Sequence, residues 1–330
     1  MMDYEKFKET VMENFKDYLS EQFQGTELSV EQVHKINHTK DGIILSADKP
    51  GHNVSPTIYI NDMYEHFKSC NDLHETLQNA AKRMEAAIMN IPELDFGQAK
   101  DNIVFFLVNT EQNREMLADM PHREYHDLSI VYRWIIKEDE EGIQSTVIKN
   151  QTAGLLGLNE EQLFSLATKN TQRIYPPTVR SMNDIFYGLL MEDGIPDEIA
   201  GIMKDEIAAE EIMYVISNAS GINGAASMLY ENKLHELAEK LNTDLYILPS
   251  SIHEVLAIST DIGSPEELAQ MVKEINMSEV SINERLSNQV YHYDKDMRKL
   301  TLATDTPDKS LDNSRIQETD RTMHMSGQVR

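Results

Sequence analysis

One stretch of the sequence, residues 212–261, constrains the fold more than any other, because it orders strand, turn, helix, strand, turn and strand. Short apolar runs of strand length lie at residues 212–217, 245–248 and 255–258, and turn-forming residues separate them. A glycine-bearing turn follows the first run, and leucines at helical spacing then continue from Ala225 to Leu241. Only a short Ser/His/Glu turn separates the second run from the third, which predicts that these two pair as neighbours. This stretch therefore predicts an α/β core.

The remainder of the chain predicts an α+β protein with mixed β-sheets and packed helices, in one compact unit or two joined α/β halves. Residues 2–23 carry an apolar stripe at helical spacing, and Asp72 and Glu75 form a capping pair at the start of a helix that extends to Asn90. Lys40-Asp41-Gly42 is typical of a hairpin turn within residues 30–46.

The stiff Tyr175-Pro176-Pro177 connector is the predicted boundary between the halves. Residues 1–175 form the first half, and residues 176–303 form a second half built on the 212–261 unit. The segment from Thr304 to Arg330 is polar, so we expect a disordered tail that is dispensable for folding.

Acidic residues outnumber basic ones by 56 to 30, which gives a net charge of −26. Such acidity opposes non-specific binding to nucleic acid and to anionic membranes. No apolar run reaches the length of a membrane span, and the start of the chain has no signal-peptide pattern, so a cytoplasmic protein is expected. The single cysteine, Cys70, excludes a disulfide within the chain and a multi-cysteine metal site. The densest acidic stretch, residues 192–211, is predicted to be a solvated helix face.

His122 and His126 are spaced i, i+4 with Asp127 beside them, a pattern that can supply two ligands of a divalent metal on a helix. However, Pro121 ends one predicted helix and a strand begins by Leu128, so the segment is expected to be a loop. No third ligand is evident, and we predict neither a metal nor a cofactor.

Two further segments are candidates for ligand or partner contacts. Asn109, Asn113 and Arg114 follow a buried strand, where they can form a ligand-binding end or make only local hydrogen bonds.

Asn218, Gly221 and Gly224 belong to the turn before the 225–241 helix, whose free N–H groups can hold an anion. The turn contains neither lysine nor arginine and matches neither the Rossmann nor the P-loop pattern. A purely structural turn is the alternative.

Several blocks of sequence together resemble a family of uncharacterised proteins from gut Firmicutes, catalogued as domain of unknown function 5688. These blocks are residues 54–60, 107–114 with its continuation to residue 122, 127–131, 163–170 and 286–293. The resemblance implies a cytoplasmic bacterial protein in or near mobile elements. It carries no activity, cofactor or catalytic residue that can be transferred.

Two functional hypotheses follow. The leading one is a non-enzymatic interaction protein of the bacterial cytosol, associated with a mobile element and an unidentified protein partner. The alternative is a small-molecule-binding enzyme or sensor that uses the Asn218–Gly224 turn or the Pro121–Asp127 loop. A deep polar pocket beside either segment would favour the alternative, because ligand sites are concave.

Overall fold

The computed structural model describes residues 2–46, 56–90, 95–139, 142–207 and 213–305, together with Leu311. Its chain divides into two compact units, Met1–Leu94 and Asp95–Arg330. Helices and antiparallel sheets alternate in both, so the predicted α+β class is confirmed. The pairings between described strands are antiparallel rather than mixed. Within these ranges, no helix combines the length and the apolar content needed to cross a membrane.

The first unit packs helices against a three-stranded antiparallel sheet of order β1-β2-β3. Its strands are β1 (Glu27–Lys35), β2 (His38–Ser46) and β3 (Thr57–Tyr59). Its helices are α1 (Tyr4–Asn14), α2 (Glu21–Gln24), α3 (Ile60–Cys70) and α4 (Leu73–Met89). Their apolar stripes form one core, which includes Phe7, Phe15, Phe67, Met84 and Ile88.

Two local predictions in this unit are wrong. The helix expected over residues 2–23 ends at Asn14, and a 3₁₀ turn at Phe15–Tyr18 precedes α2. The hairpin turns at Asn37, which takes a φ of 63°, and Lys40–Gly42 lies inside β2. Asparagine tolerates this left-handed conformation and so supplies the turn.

The second unit contains two sheets. The four-stranded sheet has order β4-β6-β5, with β7 also paired to β6; its strands are β4 (Ile103–Asn109), β5 (His122–Tyr125), β6 (Leu128–Asp139) and β7 (Gly142–Val147). The six-stranded sheet has order β13-β12-β10-β11-β9-β8; its strands are β8 (Pro177–Ser181), β9 (Met213–Asn218), β10 (Leu245–Leu248), β11 (Val255–Ser259), β12 (Tyr291–Asp294) and β13 (Lys299–Leu302).

The helices of the second unit vary from one turn to four. They are α5 (Arg114–Leu117), α6 (Asn150–Leu156), α7 (Glu160–Ile174), α8 (Met182–Glu192), α9 (Asp197–Ile207), α10 (Glu231–Leu241) and α11 (Pro265–Ser278). Helix α7 packs on β4, where Phe105 stacks on Phe164 with ring centroids 6.4 Å apart.

The stretch from residue 213 to residue 259 forms the centre of the six-stranded sheet. Strands β10 and β11 pair as predicted, and β11 also pairs with β9, so it lies between β9 and β10. The predicted continuous helix is wrong, because a 3₁₀ helix at Gly224–Leu229 precedes α10. Tyr230 separates the two with a non-helical ψ of 88°. Ile212 lies outside the described residues.

The division after Leu94 differs from the boundary expected at residues 175/176. Buried hydrogen bonds join residues on both sides of that expected boundary. The Asp127 carboxylate accepts from Ser287 Oγ and Tyr291 OH, and Asn109 Nδ2 donates to the Leu286 carbonyl. The halves 1–175 and 176–303 therefore share one core from residue 95 onward.

The tail was predicted to begin at Thr304, which itself makes two buried hydrogen bonds. Thr304 Oγ1 accepts from Val290 N at 2.9 Å and donates to Gln289 Oε1 at 2.8 Å. Leu311 is buried, and its carbonyl accepts from Arg285 at 2.9 Å. Residues 306–310 and 312–330 lie outside the part of the chain that the structure describes.

Candidate functional site

A cavity of about 370 Å³ lies in the second unit, between the four-stranded sheet, the end of α7 and the turn after β9. Six apolar residues form much of its wall: Val104, Phe105, Phe106, Ile135, Ile143 and Ile222. Six residues with polar side chains complete it: Arg133, Ser145, Thr171, Tyr175, Asn218 and Asn223. The cavity combines an apolar wall with a few polar groups, which is the usual character of a small-molecule site.

The sheet register explains why these side chains meet. Arg133 on β6 is directly opposite Val104 on β4, and Ile135 on β6 is opposite Ser145 on β7. Directly paired residues share a face, and so do residues two apart along one strand. One face of β4, β6 and β7 therefore presents Arg133 together with its apolar neighbours.

Arg133 is the only cation among the described residues that line this cavity. Its guanidinium carbon lies 4.7 Å from the centroid of the Phe106 ring, a cation–π contact. Burial lowers the pKa of the guanidinium, and the nearby Tyr175 phenol opposes this shift. A guanidinium nevertheless keeps its charge at neutral pH. No carboxylate of the described residues forms an ion pair with it.

The Asn218–Gly224 turn reaches the cavity through Asn218, Ile222 and Asn223. The Asn218 amide holds the turn together: its Nδ2 donates to Ile222 O at 2.9 Å, and its Oδ1 accepts from Ser220 N at 3.1 Å. Gly221 takes a φ of +69°, the left-handed region that favours glycine.

The N–H groups after this turn already have protein partners. Asn223 N donates to His253 Nδ1 at 3.3 Å, and Ala225 N donates to Ile252 O at 3.2 Å. Gly224 begins a short 3₁₀ helix and lies against His253 O, which a Cβ would approach to 2.5 Å. These contacts support the structural interpretation of the glycines. The turn contributes Asn218, Ile222 and Asn223 to the cavity lining, whereas the N–H groups of Asn223 and Ala225 are already bonded within the protein.

The Pro121–Asp127 segment is a hairpin, where a loop was expected. His122 begins β5, and His126 takes a φ of 59° in the two-residue turn to β6. His122 Nδ1 lies 2.9 Å from Met120 O, whereas the His126 ring packs edge-on against Tyr291. The two imidazole rings therefore contact different parts of the protein. Within the described ranges, no group of three or more His, Cys, Asp or Glu side chains is placed to hold a metal.

Asp127, the second residue of this turn, is buried in a polar network. Its Oδ2 accepts from Ser287 Oγ at 2.5 Å and its Oδ1 accepts from Tyr291 OH. Burial raises the pKa of Tyr291 well above its usual value, and the adjacent Asp127 charge raises it further. Asp127 thus has two hydroxyl donors that match its carboxylate, an arrangement typical of a structural buried acid.

Asn109 and Asn113 join this network and make local hydrogen bonds. Asn109 Nδ2 donates to Leu286 O at 3.1 Å, and Asn113 Nδ2 donates to Asn109 O at 2.8 Å. Arg114 is exposed and forms an ion pair with Glu111. The structure therefore brings together Asn109, Asn113 and Asp127, and it places Asn218 at the cavity. It leaves Arg114 on the surface.

Comparison with known proteins identifies the family. The model described as "Family of unknown function (DUF5688)" matches residues 4–295. The chain belongs to this family. No curated protein and no solved structure matches it. The match includes the cavity of the second unit and most of the described residues of both units.

Sequence reasoning missed the central residue of the cavity in this DUF5688 protein. Arg133 lies within Leu128–Ile136, a strand whose other residues are almost all apolar or aromatic. A charged side chain in such a strand is uncommon and was the available signal, because charged residues are almost never fully buried unless paired. Ser145 and Tyr175 gave no comparable signal, since hydroxyl residues are ordinary in a strand and in a connector.

Proposed function

We propose that this protein binds a small organic anion in the cavity, with Arg133 as the direct partner of the anionic group. The observation that carries the proposal is a half-buried guanidinium that faces a cavity and has no carboxylate partner among the described residues. A desolvated charge costs several kcal/mol unless a counter-charge is present. The chain contains 56 acidic residues, so carboxylates that could pair with Arg133 are abundant in the sequence. A bound anion would supply the missing charge.

The walls favour a ligand with an apolar body and a single anionic group. Phe106 and Ile135 offer aromatic and apolar surface on the sheet face that carries Arg133, and Arg133 is the single cationic residue in the described lining. A guanidinium binds a carboxylate through two parallel hydrogen bonds, and its contact with Phe106 restricts its orientation. The volume is at the small end of ligand pockets, about 300–1,000 Å³. We therefore favour a small monocarboxylate over a polyanion, which the net charge of −26 would repel.

Binding is favoured over catalysis. The described lining residues include neither a histidine nor a carboxylate that could act as a general base beside a nucleophile. The proposal thus selects the ligand-binding alternative, as a sensor, and the pocket beside Asn218 is what supports it. We place this sensor in the cytosol of a Firmicute bacterium, on the resemblance of its sequence blocks and on its acidity.

The test measures the melting temperature and the heat of binding for the purified full chain. Its probes are aliphatic and aromatic monocarboxylates, each compared with its uncharged amide. We expect at least one acid to give a saturable stabilisation, about 2.7 kcal/mol at a concentration one hundred times its Kd, and the matching amide to give much less. Arg133→Met should abolish the effect. Arg114→Met is the matched control, because Arg114 is an exposed arginine of the same unit, and it should bind like the native chain.

The same variants separate a ligand-binding arginine from a structural one. Without ligand, Arg133→Met removes a partly desolvated charge that has no carboxylate partner among the described residues, so its stability should be unchanged or higher. A structural arginine would instead leave the protein less stable on substitution. The proposal fails if no acid gives saturable binding, or if an acid stabilises Arg133→Met as well as the native chain.

A further inference from the structure

Strand alternation shows which face of the four-stranded sheet borders the cavity. Arg133 is the direct partner of Val104, Ile135 is the direct partner of Ser145, and residues two apart along a strand share a face. Phe105 also lines the cavity, but its ring stacks on Phe164 of α7. The other lining residues of β4, β6 and β7 all lie on one face: Val104, Phe106, Arg133, Ile135, Ile143 and Ser145.

Ser145 is the one residue with an uncharged polar side chain among the described lining residues of this face. A serine hydroxyl is attached directly to Cβ, so strand alternation also decides on which side of the sheet its oxygen lies. Ile143 and Val147, its neighbours on the same face of β7, are apolar, and so is its direct partner Ile135. A hydroxyl in apolar surroundings costs free energy unless it is hydrogen-bonded, and a polar group of a ligand would supply that bond.

The Ser145 hydroxyl and the Arg133 guanidinium lie toward opposite edges of β6. Arg133 pairs with Val104 of β4 and with Val147 of β7, so these two strands flank β6. Ser145 is therefore a diagonal neighbour of Arg133, with the two Cα atoms roughly 7–8 Å apart. The guanidinium lies over the Phe106 ring of β4, on the side away from Ser145. The two polar groups thus face different ends of a bound ligand.

Three other polar residues of the lining already have a place. Thr171 Oγ1 accepts from Phe105 N at 2.9 Å, and the Asn218 amide bonds to Ser220 and Ile222 within its own turn. The Tyr175 phenol lies near the guanidinium, so it belongs to the anionic end of the cavity. Ser145 is the polar residue at the other end of the sheet face.

We infer that the acid bound by Arg133 carries a second hydrogen-bonding group at its far end, and that Ser145 selects for that group. The inference rests on the proposed anion site and adds the class of ligand: an acid with an apolar middle and a distal hydroxyl. A hydroxyl beside the carboxylate would stay at the Arg133 end, away from Ser145. Arg133 is then the partner of the charge, and Ser145 is a specificity-determining residue.

The test compares matched acids by calorimetry on the purified full chain. Phenylacetate is compared with para-hydroxyphenylacetate, and hexanoate with its terminal hydroxy form. We expect the hydroxylated member of a pair to bind about three- to tenfold more tightly, because it gains one hydrogen bond. Mandelate has its hydroxyl next to the carboxylate, so it should bind no more tightly than phenylacetate.

Two variants assign the preference to one side chain. Ser145→Ala deletes a single oxygen atom and should give the members of each pair equal Kd values. Thr146→Val is the matched control: Thr146 pairs with Trp134 on the other face of the sheet, so removing its hydroxyl should leave the preference intact.

The role of Ser145 is refuted, and the anion site is not, if the hydroxylated acids bind equally or more weakly. A preference that persists in Ser145→Ala refutes it as well. If no acid of either kind binds, the anion proposal fails and this inference fails with it.

Discussion

Gly221 and Gly224 stand in one turn after β9, and each excludes a side chain for its own reason. Gly221 has the left-handed φ of +69°, but no heavy atom lies within 4 Å of the Cβ position. Gly224 lacks a positive φ, but a Cβ there would lie 2.2 Å from Ser217 Oγ, 2.5 Å from His253 O and 2.7 Å from Asn218 N. Two of those neighbours are backbone atoms of packed segments and cannot easily move. Gly224 is therefore required for packing, and Gly221 for conformation.

We predict that Gly224→Ala destabilises the protein more than Gly221→Ala. Overpacking at Gly224 should cost about 1–3 kcal/mol or more, whereas the left-handed alanine at position 221 should cost about 1 kcal/mol. Gly201→Ala is the control, since Gly201 lies in α9 with open space around it, and it should stabilise by about 0.5–1 kcal/mol. Urea unfolding of the three variants measures the order. A Gly224→Ala variant as stable as the native chain would contradict the packing argument.

Single residues also show where sequence reasoning ends. Asp127 was a candidate because it adjoins His122 and His126, yet its partners are Ser287 and Tyr291, far away along the chain. Local spacing carries no information about such pairings, which depend on how the sheets pack. Arg133 did give a local signal, a charge in an apolar strand. Whether that charge is structural or binds a ligand depends on whether a carboxylate of the protein pairs with it. Only the three-dimensional structure shows such a pairing.

Elements were predicted well where the signal is local. The Asp72 cap of α4 is formed as predicted, because a cap is decided within one helical turn. The β10–β11 pairing follows from a short connection between two apolar runs. Elements were predicted poorly where two local choices compete. The hairpin turns at Asn37 because that residue takes the left-handed conformation, so Lys40–Gly42 continues the strand.

At the C-terminal end we predict different effects from two truncations. Ending the chain after Ala303 removes Thr304, which bonds to Val290 and Gln289, and Leu311, which is 1% exposed. Losing a buried leucine costs about 1.5–3 kcal/mol, and unsatisfied buried partners cost about 1–3 kcal/mol each. The melting temperature should fall by several degrees, whereas ending the chain after Leu311 should leave it nearly unchanged. Calorimetry compares the two, and equal melting temperatures would show that residues 304–311 add no stability.

At the scale of the whole molecule, the position of the domain boundary decides which parts can fold alone. The proline-rich connector at residues 175–177 looked like a linker because proline stiffens an exposed chain. The structure instead continues directly into β8, which pairs with β9. Tyr230 OH donates to Thr168 O, a hydrogen bond that joins the two sides of the expected boundary at residues 175/176. Proline reports a local constraint on the backbone, but the contacts that define a unit are long-range, and composition does not show them.

The last prediction follows from that boundary. The apolar core of the first unit lies between Phe7 and Ile88, so a fragment of residues 1–94 should fold and unfold cooperatively, as should residues 95–330. A chain of that length is large enough to bury a core of its own. Cutting at residues 175/176 should instead give aggregating fragments, because it separates Asp127 from Ser287 and Tyr291 and leaves buried polar groups unpaired. Thermal unfolding followed by circular dichroism, with amide NMR spectra, distinguishes the two cuts. A cooperatively folded fragment of residues 176–330 would support the boundary at the connector, and an unfolded fragment of residues 1–94 would contradict the division after Leu94.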